Sequence, residues 1–431
     1  MEIAELYKIF ENHKIVTTDS RDCPEGSVFF ALKGASFDGN RFAASALEKG
    51  CSYAVVDEKE FADDDRCILV DDCLKTLKQL ANYHRRKLGT KIIGITGTNG
   101  KTTTKELVAR VLEQKYNVLY TQGNFNNDIG VPKTLLRLTE EHQIAVVEMG
   151  ASHPGDIKTL VDVVEPDCGI ITNVGRAHLQ GFGSFEGVIK TKGELYDFLR
   201  TKKDSVVFIH NENEHLMNIA GGLTLVKYGT STDDHLYVTG SVGACDPYLN
   251  FRWKHEEGNW HEVKTHLIGA YNIYNMLAAA CIGLYFGVTE QQVCEALESY
   301  IPSNNRSQLD ITEKNKLIVD AYNANPTSMM AALENFRDIQ ADKKMAILGD
   351  MRELGEVSDE EHQKIVDFIG KTGIETVWLV GEEFGKTDCG FRKFHDVEEV
   401  KKAIAEEQPA GYYILIKGSN GTKLYQLPEL L

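Results

Sequence analysis

The stretch that decides the fold is GITGTNGKTTT, residues 94–104. A short apolar run over residues 91–95 leads into it, and an amphipathic segment over residues 101–112 follows it. This order of strand, glycine-rich loop, Lys-Thr pair and helix is typical of a phosphate-binding site. The helix N-terminus and the outward-facing backbone N–H groups of the loop attract anions. The stretch therefore predicts that the chain binds ATP or GTP.

The residues of this loop have separate expected roles. Gly97 and Gly100 let the backbone turn toward the phosphates. Lys101 can reach the β- and γ-phosphates, and the Thr102 hydroxyl can bind Mg²⁺. An ordinary strand-to-helix turn is the alternative, which the Lys-Thr pair disfavours. The predicted phosphate contacts are Gly97, Thr98, Asn99, Gly100, Lys101, Thr102 and Thr103.

Composition narrows the class of protein. At 431 residues, the chain is too long for one core, so two or three domains are expected. A hydrophobic content of 42% and a charged content of 26% are typical of a soluble globular protein. The net charge of −17 argues against a general nucleic-acid binder, which must neutralise phosphates. Binding sites for anionic substrates must then be locally positive.

Cysteine usage and hydropathy predict a cytoplasmic protein. The nine cysteines are an odd number without a CxxC pair, which suits a reducing compartment. The first residues have neither a basic nor an apolar leader region, and no run approaches the roughly 20 apolar residues of a membrane span. We expect no membrane partner and a monomer.

The order of apolar runs predicts an α/β protein of three domains. Residues 1–88 form a small N-terminal α/β domain. Residues 89–301 form a central domain with the phosphate loop on a parallel sheet, and its stretch 205–268 is expected to be an antiparallel patch. In residues 302–431, four apolar runs alternate with helices, which predicts a C-terminal doubly wound, Rossmann-like domain.

Polar residues follow two predicted strands of the central domain. Glu148 ends the apolar run 144–147, and His178 lies shortly after the run 169–172. A carboxylate at the end of a parallel strand, in the sheet that carries a phosphate loop, is well placed to hold Mg²⁺. A helix-capping or loop role for Glu148 is an equally good alternative. A lone histidine is usually structural or at the surface, so His178 by itself is a weak ligand candidate.

Two further features are ambiguous on their own. Lys192 would by default be a solvated helix lysine, and the amide cluster Asn124, Asn126 and Asn127 would be a polar turn.

Together these motifs resemble the ATP-dependent Mur ligase family, which builds the peptide of bacterial cell-wall precursors. The phosphate loop is shared across that family and with folylpolyglutamate synthetases. Other motifs, in all three domains, resemble the branch that adds D-alanyl-D-alanine. The most discriminating are GNFNNDIGVP (123–132), AHLQGFGS (177–184), DAYNANP (320–326) and LGDMRELG (348–355).

The resemblance implies an activity and a metal site. It implies an ATP-dependent ligase that joins D-alanyl-D-alanine to UDP-N-acetylmuramoyl-tripeptide through an acyl phosphate. It makes Thr102 and Glu148 ligands of one Mg²⁺ and His178 a ligand of a second. Lys192 matches a lysine that the family carries as a carbamate, which requires a neutral amine and hence a depressed pKa. The catalytic residues so implied are Lys101, His178, Lys192 and Arg306.

The resemblance also implies the nucleotide contacts. Asn272 and Asn275 match an asparagine pair near adenine, although Tyr271 stands where histidine is common. Arg306 matches an arginine that reaches the γ-phosphate. The nucleotide residues from the C-terminal side are Asp320, Tyr322 and Asn323.

Substrate contacts follow from the same resemblance. Ser20, Arg21 and Lys33 match the UDP-binding pattern, in which Asn40 replaces the usual histidine. Lys417 belongs to a motif that positions the incoming dipeptide. The asparagines of residues 124–127 are assigned to the substrate as well.

Two alternatives of different kinds remain. One is a related Mur or folylpolyglutamate-type ligase with another amino-acid acceptor. About ninety residues precede the phosphate loop, which disfavours the folylpolyglutamate type. The other is a non-catalytic nucleotide switch, which needs no second metal site. The motifs do not decide whether the third residue of the tripeptide is diaminopimelate or lysine.

Overall fold

The computed structural model describes residues 1–232, 235–302 and 308–431. In these ranges the chain forms three sheets that follow one another along the sequence. This arrangement confirms the α/β class with three sheet-containing parts, and the boundaries after residues 88 and 301 stay predictions. The described part of the chain contains no helix with the length and apolarity needed to cross a membrane.

The N-terminal sheet is entirely parallel, in the order β1-β2-β3-β4. Its strands are β1 (Val16–Thr17), β2 (Val28–Phe30), β3 (Tyr53–Val56) and β4 (Cys67–Leu69), and its helices are α1 (Ile3–His13), α2 (Ala43–Glu48) and α3 (Cys73–Leu88). Asp72 caps α3 by accepting a hydrogen bond from the Lys75 N–H at 2.7 Å, and Gly89 ends the helix in the left-handed conformation. The chain then passes directly into the central sheet.

The central sheet has the order β13-β12-β11-β10-β9-β8-β5-β7-β6. Its strands are β5 (Lys91–Thr96), β6 (Val118–Tyr120), β7 (Ile144–Glu148), β8 (Cys168–Ile171), β9 (Val206–His210), β10 (Thr224–Gly229), β11 (Val238–Cys245), β12 (Tyr248–His255) and β13 (His261–Ile268). Its helices are α4 (Lys101–Leu112), α5 (Gly130–Leu135), α6 (Asp156–Val164), α7 (Leu179–Phe182), α8 (Phe185–Thr201), α9 (Glu214–Ile219), α10 (Ile273–Tyr285) and α11 (Glu290–Ser299). The strand–loop–helix unit predicted around the phosphate loop is confirmed by β5 and α4.

The antiparallel patch is smaller than the sequence analysis expected. The strands β9 and β10 run parallel to each other, and β9 also runs parallel to β8. Antiparallel pairing is confined to β11, β12 and β13. The prediction of an antiparallel patch over the whole of residues 205–268 was therefore wrong. The physical reason is that α8 and α10 pack against β9, so its first four residues are buried, as in a parallel sheet.

The third sheet has the order β14-β15-β19-β16-β17-β18, with β14 as an antiparallel edge. Its strands are β14 (Gln308–Ile311), β15 (Lys316–Asp320), β16 (Lys344–Gly349), β17 (Thr376–Val380), β18 (Arg392–Phe394) and β19 (Tyr413–Lys417), and its helices are α12 (Pro326–Asp338), α13 (Ser358–Ile369), α14 (Glu382–Gly385) and α15 (Val397–Glu407). All four apolar runs predicted for this part are strands. Their parallel pairing confirms a doubly wound sheet.

The register of the central sheet gathers the functional loops. Ile95 of β5 lies opposite Glu148 of β7, and Thr96 lies opposite Ile171 of β8. The loops that leave these three strands therefore begin at the same edge of the sheet. In open parallel sheets this carboxyl edge is where ligands bind.

Candidate active site

The loop between β5 and α4 has the backbone of a phosphate cradle. Gly97 has φ +143° and Gly100 has φ +76°, conformations that side chains rarely adopt. A Cβ on Gly97 would lie 2.0 Å from the Thr172 Oγ1 atom, and one on Gly100 would lie 2.6 Å from the Asn275 Oδ1 atom. Glycine is thus required at both positions by close packing as well as by the turn. The loop leads into α4, whose N-terminus attracts anions.

Lys101 lies across the mouth of this loop. Its Nζ atom donates hydrogen bonds to the carbonyl oxygens of Gly97 at 2.9 Å and Thr98 at 3.0 Å. The ammonium group is thereby held over the backbone that would surround the phosphates. This is the placement that a charge-neutralising lysine needs.

Glu148 is the buried acidic centre of the site. Its residue is 1% exposed, and its carboxylate accepts the Thr102 hydroxyl at 3.0 and 3.2 Å. The Asn126 Nδ2 atom donates to the same carboxylate at 2.8 Å. Carboxylate and hydroxyl oxygens are hard ligands, so these residues fit Mg²⁺ held also by phosphate oxygens and water. Across the described ranges, no three His, Cys, Asp or Glu side chains cluster to hold a metal by themselves.

His178 contacts the third sheet's domain. Its backbone is left-handed at φ 51°, and its Nδ1 atom makes a close contact with the Glu353 carboxylate. Burial lowers the pKa of His178, an effect that the Glu353 charge opposes. In this arrangement the imidazole bridges two domains, and its role as ligand of a second Mg²⁺ stays a prediction.

Lys192 is almost completely buried on α8. The residue is 2% exposed, its Nζ atom lies 3.4 Å from the Ala151 carbonyl oxygen and 5.4 Å from the centre of the Phe182 ring. Burial, followed by the nearby charge of Lys101, lowers the pKa of Lys192 well below its usual value. A neutral amine is the form that reacts with CO₂, so the environment fits the predicted carbamate.

The asparagine pair predicted near adenine is locked against the phosphate-loop helix. Asn275 donates to the Asn272 side-chain oxygen at 2.8 Å and accepts the Thr104 hydroxyl at 3.0 Å. Both asparagines are buried. Their side chains are consequently fixed in orientation before any nucleotide binds.

The third domain reaches the phosphate loop directly. The Asn325 amide donates to the Asn99 side-chain oxygen at 2.7 Å, although the two residues are 226 positions apart. Lys417, 1% exposed, is in close contact with the Asp320 carboxylate. The nucleotide and dipeptide residues predicted from this domain therefore lie next to the central loop.

One cavity of about 870 Å³ collects most of the predicted site. Predicted residues in its wall are Thr98, Asn99, Gly100, Lys101, Thr103, Asn126, Asn127, Glu148, His178, Asn272, Asn275, Asp320, Tyr322, Asn323 and Lys417. Predicted residues that do not form its wall are Ser20, Arg21, Lys33, Gly97, Thr102, Asn124 and Lys192. Arg306 lies outside the described residues.

The residues predicted to bind UDP are engaged within the N-terminal domain. Arg21 pairs with Asp19 at 2.7 Å, and Lys33 pairs with Asp57 at 2.9 Å. Asn40, which replaces the family's histidine, is fully buried and bonds to Asp57. Asn40 thus has a structural role, and the UDP contacts of the other residues stay predictions.

Several residues of the cavity wall were not predicted from the sequence. His153 and Ser152 follow β7, while His210 and Asn213 are at or just after the end of β9. All four lie at or after the end of a strand of the central sheet, the same sequence signal that identified Glu148. Glu353 was missed as a contact of His178 because that contact joins two domains. A second cavity of about 870 Å³ opens beside Glu353, above the carboxyl ends of β16 and β17.

Comparisons with known proteins identify the class. Family models match three segments of the chain: the Mur ligase family catalytic domain over residues 12–85, the Mur ligase middle domain over 95–283, and the Mur ligase glutamate ligase domain over 305–420. The chain belongs to the Mur ligase family.

Within the family, the chain is similar to a relative named as a D-alanyl-D-alanine ligase and to solved structures of MurF. A relative in Bacillus subtilis named UDP-N-acetylmuramoyl-tripeptide–D-alanyl-D-alanine ligase is 35% identical, covering 96% of this chain and 92% of the relative. A crystal structure of MurF from Acinetobacter baumannii has a TM-score of 0.87 at 30% identity, covering 96% and 92% of the two chains. MurF from Thermotoga maritima in complex with ADP has a TM-score of 0.86 at 26% identity, covering 97% of each.

Proposed function

We propose that this chain is an ATP-dependent ligase that joins D-alanyl-D-alanine to the terminal carboxylate of UDP-N-acetylmuramoyl-tripeptide. The observation that carries this function is one cavity whose wall combines the phosphate loop, the buried Glu148 and third-domain residues such as Asp320. The name of the Bacillus subtilis relative supports the substrates, and the ADP complex of the Thermotoga maritima protein supports the nucleotide.

The first chemical step is the activation of a carboxylate. Forming an amide from a carboxylate and an amine is unfavourable in water, so the carboxylate first attacks the γ-phosphate of ATP. Lys101 and the N-terminus of α4 stabilise the charge on the phosphate during transfer. The products are ADP and an acyl phosphate. The amine of the dipeptide then attacks the acyl carbon, and phosphate leaves.

Thr102 and Glu148 would hold Mg²⁺, and His178 would hold a second ion. When bound, Mg²⁺ neutralises phosphate charge and polarises the bond to the γ-phosphate. Asn126 orients the Glu148 carboxylate through its 2.8 Å hydrogen bond. A carbamate on Lys192 would add a negative charge beside Lys101, and Arg306 would bind the γ-phosphate.

The remaining contacts complete the proposal. Adenine lies beside Asn272 and Asn275, with Asp320, Tyr322 and Asn323 on the opposite side. Asn124, Asn126 and Asn127 contact the tripeptide end, and Lys417 helps to position the dipeptide. Ser20, Arg21 and Lys33 bind the UDP group, for which Arg21 leaves Asp19 and Lys33 leaves Asp57. The protein acts as a monomer in the cytoplasm. Its nine cysteines form no disulfide bonds, which is compatible with a reducing compartment.

Phosphate release tests this function. Purified protein is given ATP, Mg²⁺ and UDP-N-acetylmuramoyl-tripeptide, with D-alanyl-D-alanine, single amino acids or glutamate as the acceptor. The expected result is release that depends on the dipeptide, with a product of the UDP-pentapeptide mass. Lys101→Ala should abolish release. Lys105→Met is the control, because this lysine of the same helix α4 is fully buried and lies outside the cavity wall.

Other outcomes would change the assignment. Release with glutamate or a single amino acid would keep the ligase chemistry and replace the acceptor. Tight ATP binding without release with any acceptor would identify a nucleotide switch. Running the assay with both the lysine and the diaminopimelate tripeptide would assign the third residue.

A further inference from the structure

Ser152 and His153, in the loop after β7, form a polar pair that the phosphate chemistry does not use. Both line the central cavity, and the Ser152 hydroxyl lies 3.1 Å from the His153 Nδ1 atom. Asp156 accepts both of their backbone N–H groups, at 2.9 and 2.8 Å. The loop and the ring are thus held from two sides. The His153 Nε2 atom makes no hydrogen bond to any described residue.

The pair lies against α7, which also contacts the third domain. A Cβ on Gly181 of α7 would be 2.1 Å from the Ser152 carbonyl oxygen and 3.4 Å from the His153 Cδ2 atom. The preceding residue, Gln180, donates its N–H to the Glu353 carbonyl oxygen at 3.2 Å. Glu353 lines the second cavity. The imidazole therefore lines the central cavity next to α7, the helix that a backbone hydrogen bond joins to the third domain.

The charged groups on the elements that pack around this loop belong to α6, to α8 and to the segment before α7. Asp156 at the start of α6 is occupied by the two backbone donors. On α8, Glu194 accepts the N–H groups of Gly155 and Lys158 at 2.9 and 2.7 Å, and Lys192 points to the Ala151 carbonyl oxygen. His178 precedes α7 and is paired with Glu353. In the described structure, none of these groups forms an ion pair with His153.

We propose that His153 is the base that takes the proton from the ammonium group of the incoming acceptor. This role rests on the proposed ligation, in which the acceptor is a primary amine. Only the neutral amine has the lone pair that attacks an acyl phosphate. The α-amino group of a peptide has a pKa of about 8, so only about a tenth of it is neutral at pH 7. Imidazole is the side chain suited to proton transfer near neutral pH.

In this step two protons leave the nitrogen of the acceptor. The Nε2 lone pair accepts one ammonium proton, and the neutral amine forms the C–N bond with the acyl carbon. The C–O bond to phosphate breaks, and its electron pair leaves with the phosphate. The second proton on nitrogen goes to the departing phosphate, and the imidazolium returns its proton to water. Ser152 is a positioning residue: its hydroxyl oxygen accepts the Nδ1–H of the ring, and this tautomer leaves the lone pair on Nε2.

The variant His153→Gln tests the proposal with two nucleophiles. With D-alanyl-D-alanine at pH 7, phosphate release should fall about tenfold, and the deficit should close toward pH 9 as the amine loses its proton in solution. Hydroxylamine is mostly unprotonated at pH 7, so trapping of the acyl phosphate as hydroxamate should equal that of the wild type. ADP affinity should be unchanged.

Two further variants keep the test decisive. Ser152→Ala should lose less phosphate release with the dipeptide than His153→Gln does, and no hydroxamate formation with hydroxylamine. It replaces His153→Gln as the test variant if that protein does not fold. His142→Gln, outside both cavities, is the control and should match the wild type. Three results would overturn the proposal. His153→Gln could release phosphate at the wild-type rate at pH 7, its hydroxamate formation could fall as much as its dipeptide reaction, or its deficit in phosphate release could persist at pH 9. Absence of dipeptide-dependent release in the wild type would instead overturn the proposed ligation, and this inference with it.

Discussion

Replacing Lys192 by methionine should change how the stability of the protein depends on pH. Methionine has a similar length and no charge, so it fills the same space under Phe182 while removing the amine. Burial lowers the pKa of Lys192 well below its usual value, so the folded protein holds this proton less tightly than the unfolded chain does. The wild type therefore carries a cost that the variant lacks.

The sign and size of the effect follow from proton linkage. Above the folded-state pKa and below the unfolded value of about 10.4, the unfolded chain binds one more proton than the folded protein. In that window the free energy of unfolding of the wild type should rise with pH, by up to about 1.4 kcal/mol per pH unit relative to Lys192→Met. Below the folded-state pKa the two curves should run parallel, with the variant more stable.

Bicarbonate supplies the second half of the experiment. A carbamate forms only on the neutral amine of the folded protein, so CO₂ acts as a ligand of the native state. At ten times its dissociation constant it should stabilise the wild type by about 1.4 kcal/mol and leave Lys192→Met unchanged. Intact mass after trapping should show the added carboxyl group on the wild type alone.

Urea unfolding from pH 6.5 to about 9.5, in CO₂-free buffer and again with bicarbonate, measures both effects. The control is Lys105→Met, which removes another fully buried lysine but retains Lys192, and so should keep the response to bicarbonate. Wild-type and Lys192→Met curves that stay parallel up to pH 9.5, with no response to bicarbonate, would refute the reasoning.

Three other predictions test separate parts of the molecule. Gly97→Ala should weaken ADP binding at least tenfold in calorimetry, because its Cβ would meet the Thr172 hydroxyl at 2.0 Å; an unchanged affinity would contradict the cradle. Glu148→Gln should raise the Mg²⁺ concentration needed for phosphate release, and EDTA should abolish release by the wild type; metal-independent turnover would contradict the site. Asn40→Ala should lower the free energy of unfolding by about 1–3 kcal/mol, because a buried amide that bonds to Asp57 at 2.9 Å is lost; a change below a few tenths would show that this network is not structural.

Local signals predicted the phosphate loop and its neighbours well. Gly97, Gly100 and Lys101 form the expected strand-to-helix cradle, since turn geometry depends on adjacent residues. Glu148 was predicted because it directly follows an apolar run typical of a buried parallel strand. The carboxyl ends of such strands lie at the edge of the sheet where ligands bind. The parallel pairing of β9 with β10 was not predicted, because the burial of β9 on both faces depends on helices elsewhere in the chain.

The sequence by itself determined the α/β class, the phosphate loop and the family resemblance, because hydrophobic periodicity and glycine-rich turns are properties of neighbouring residues. Only the tertiary structure decided which side chains meet. Asn99 contacts Asn325 across 226 positions, His178 contacts Glu353 across 175, and His153 lies against Gly181. Such contacts depend on how the domains and loops pack against one another, a free energy summed over many distant residues and encoded in no single motif.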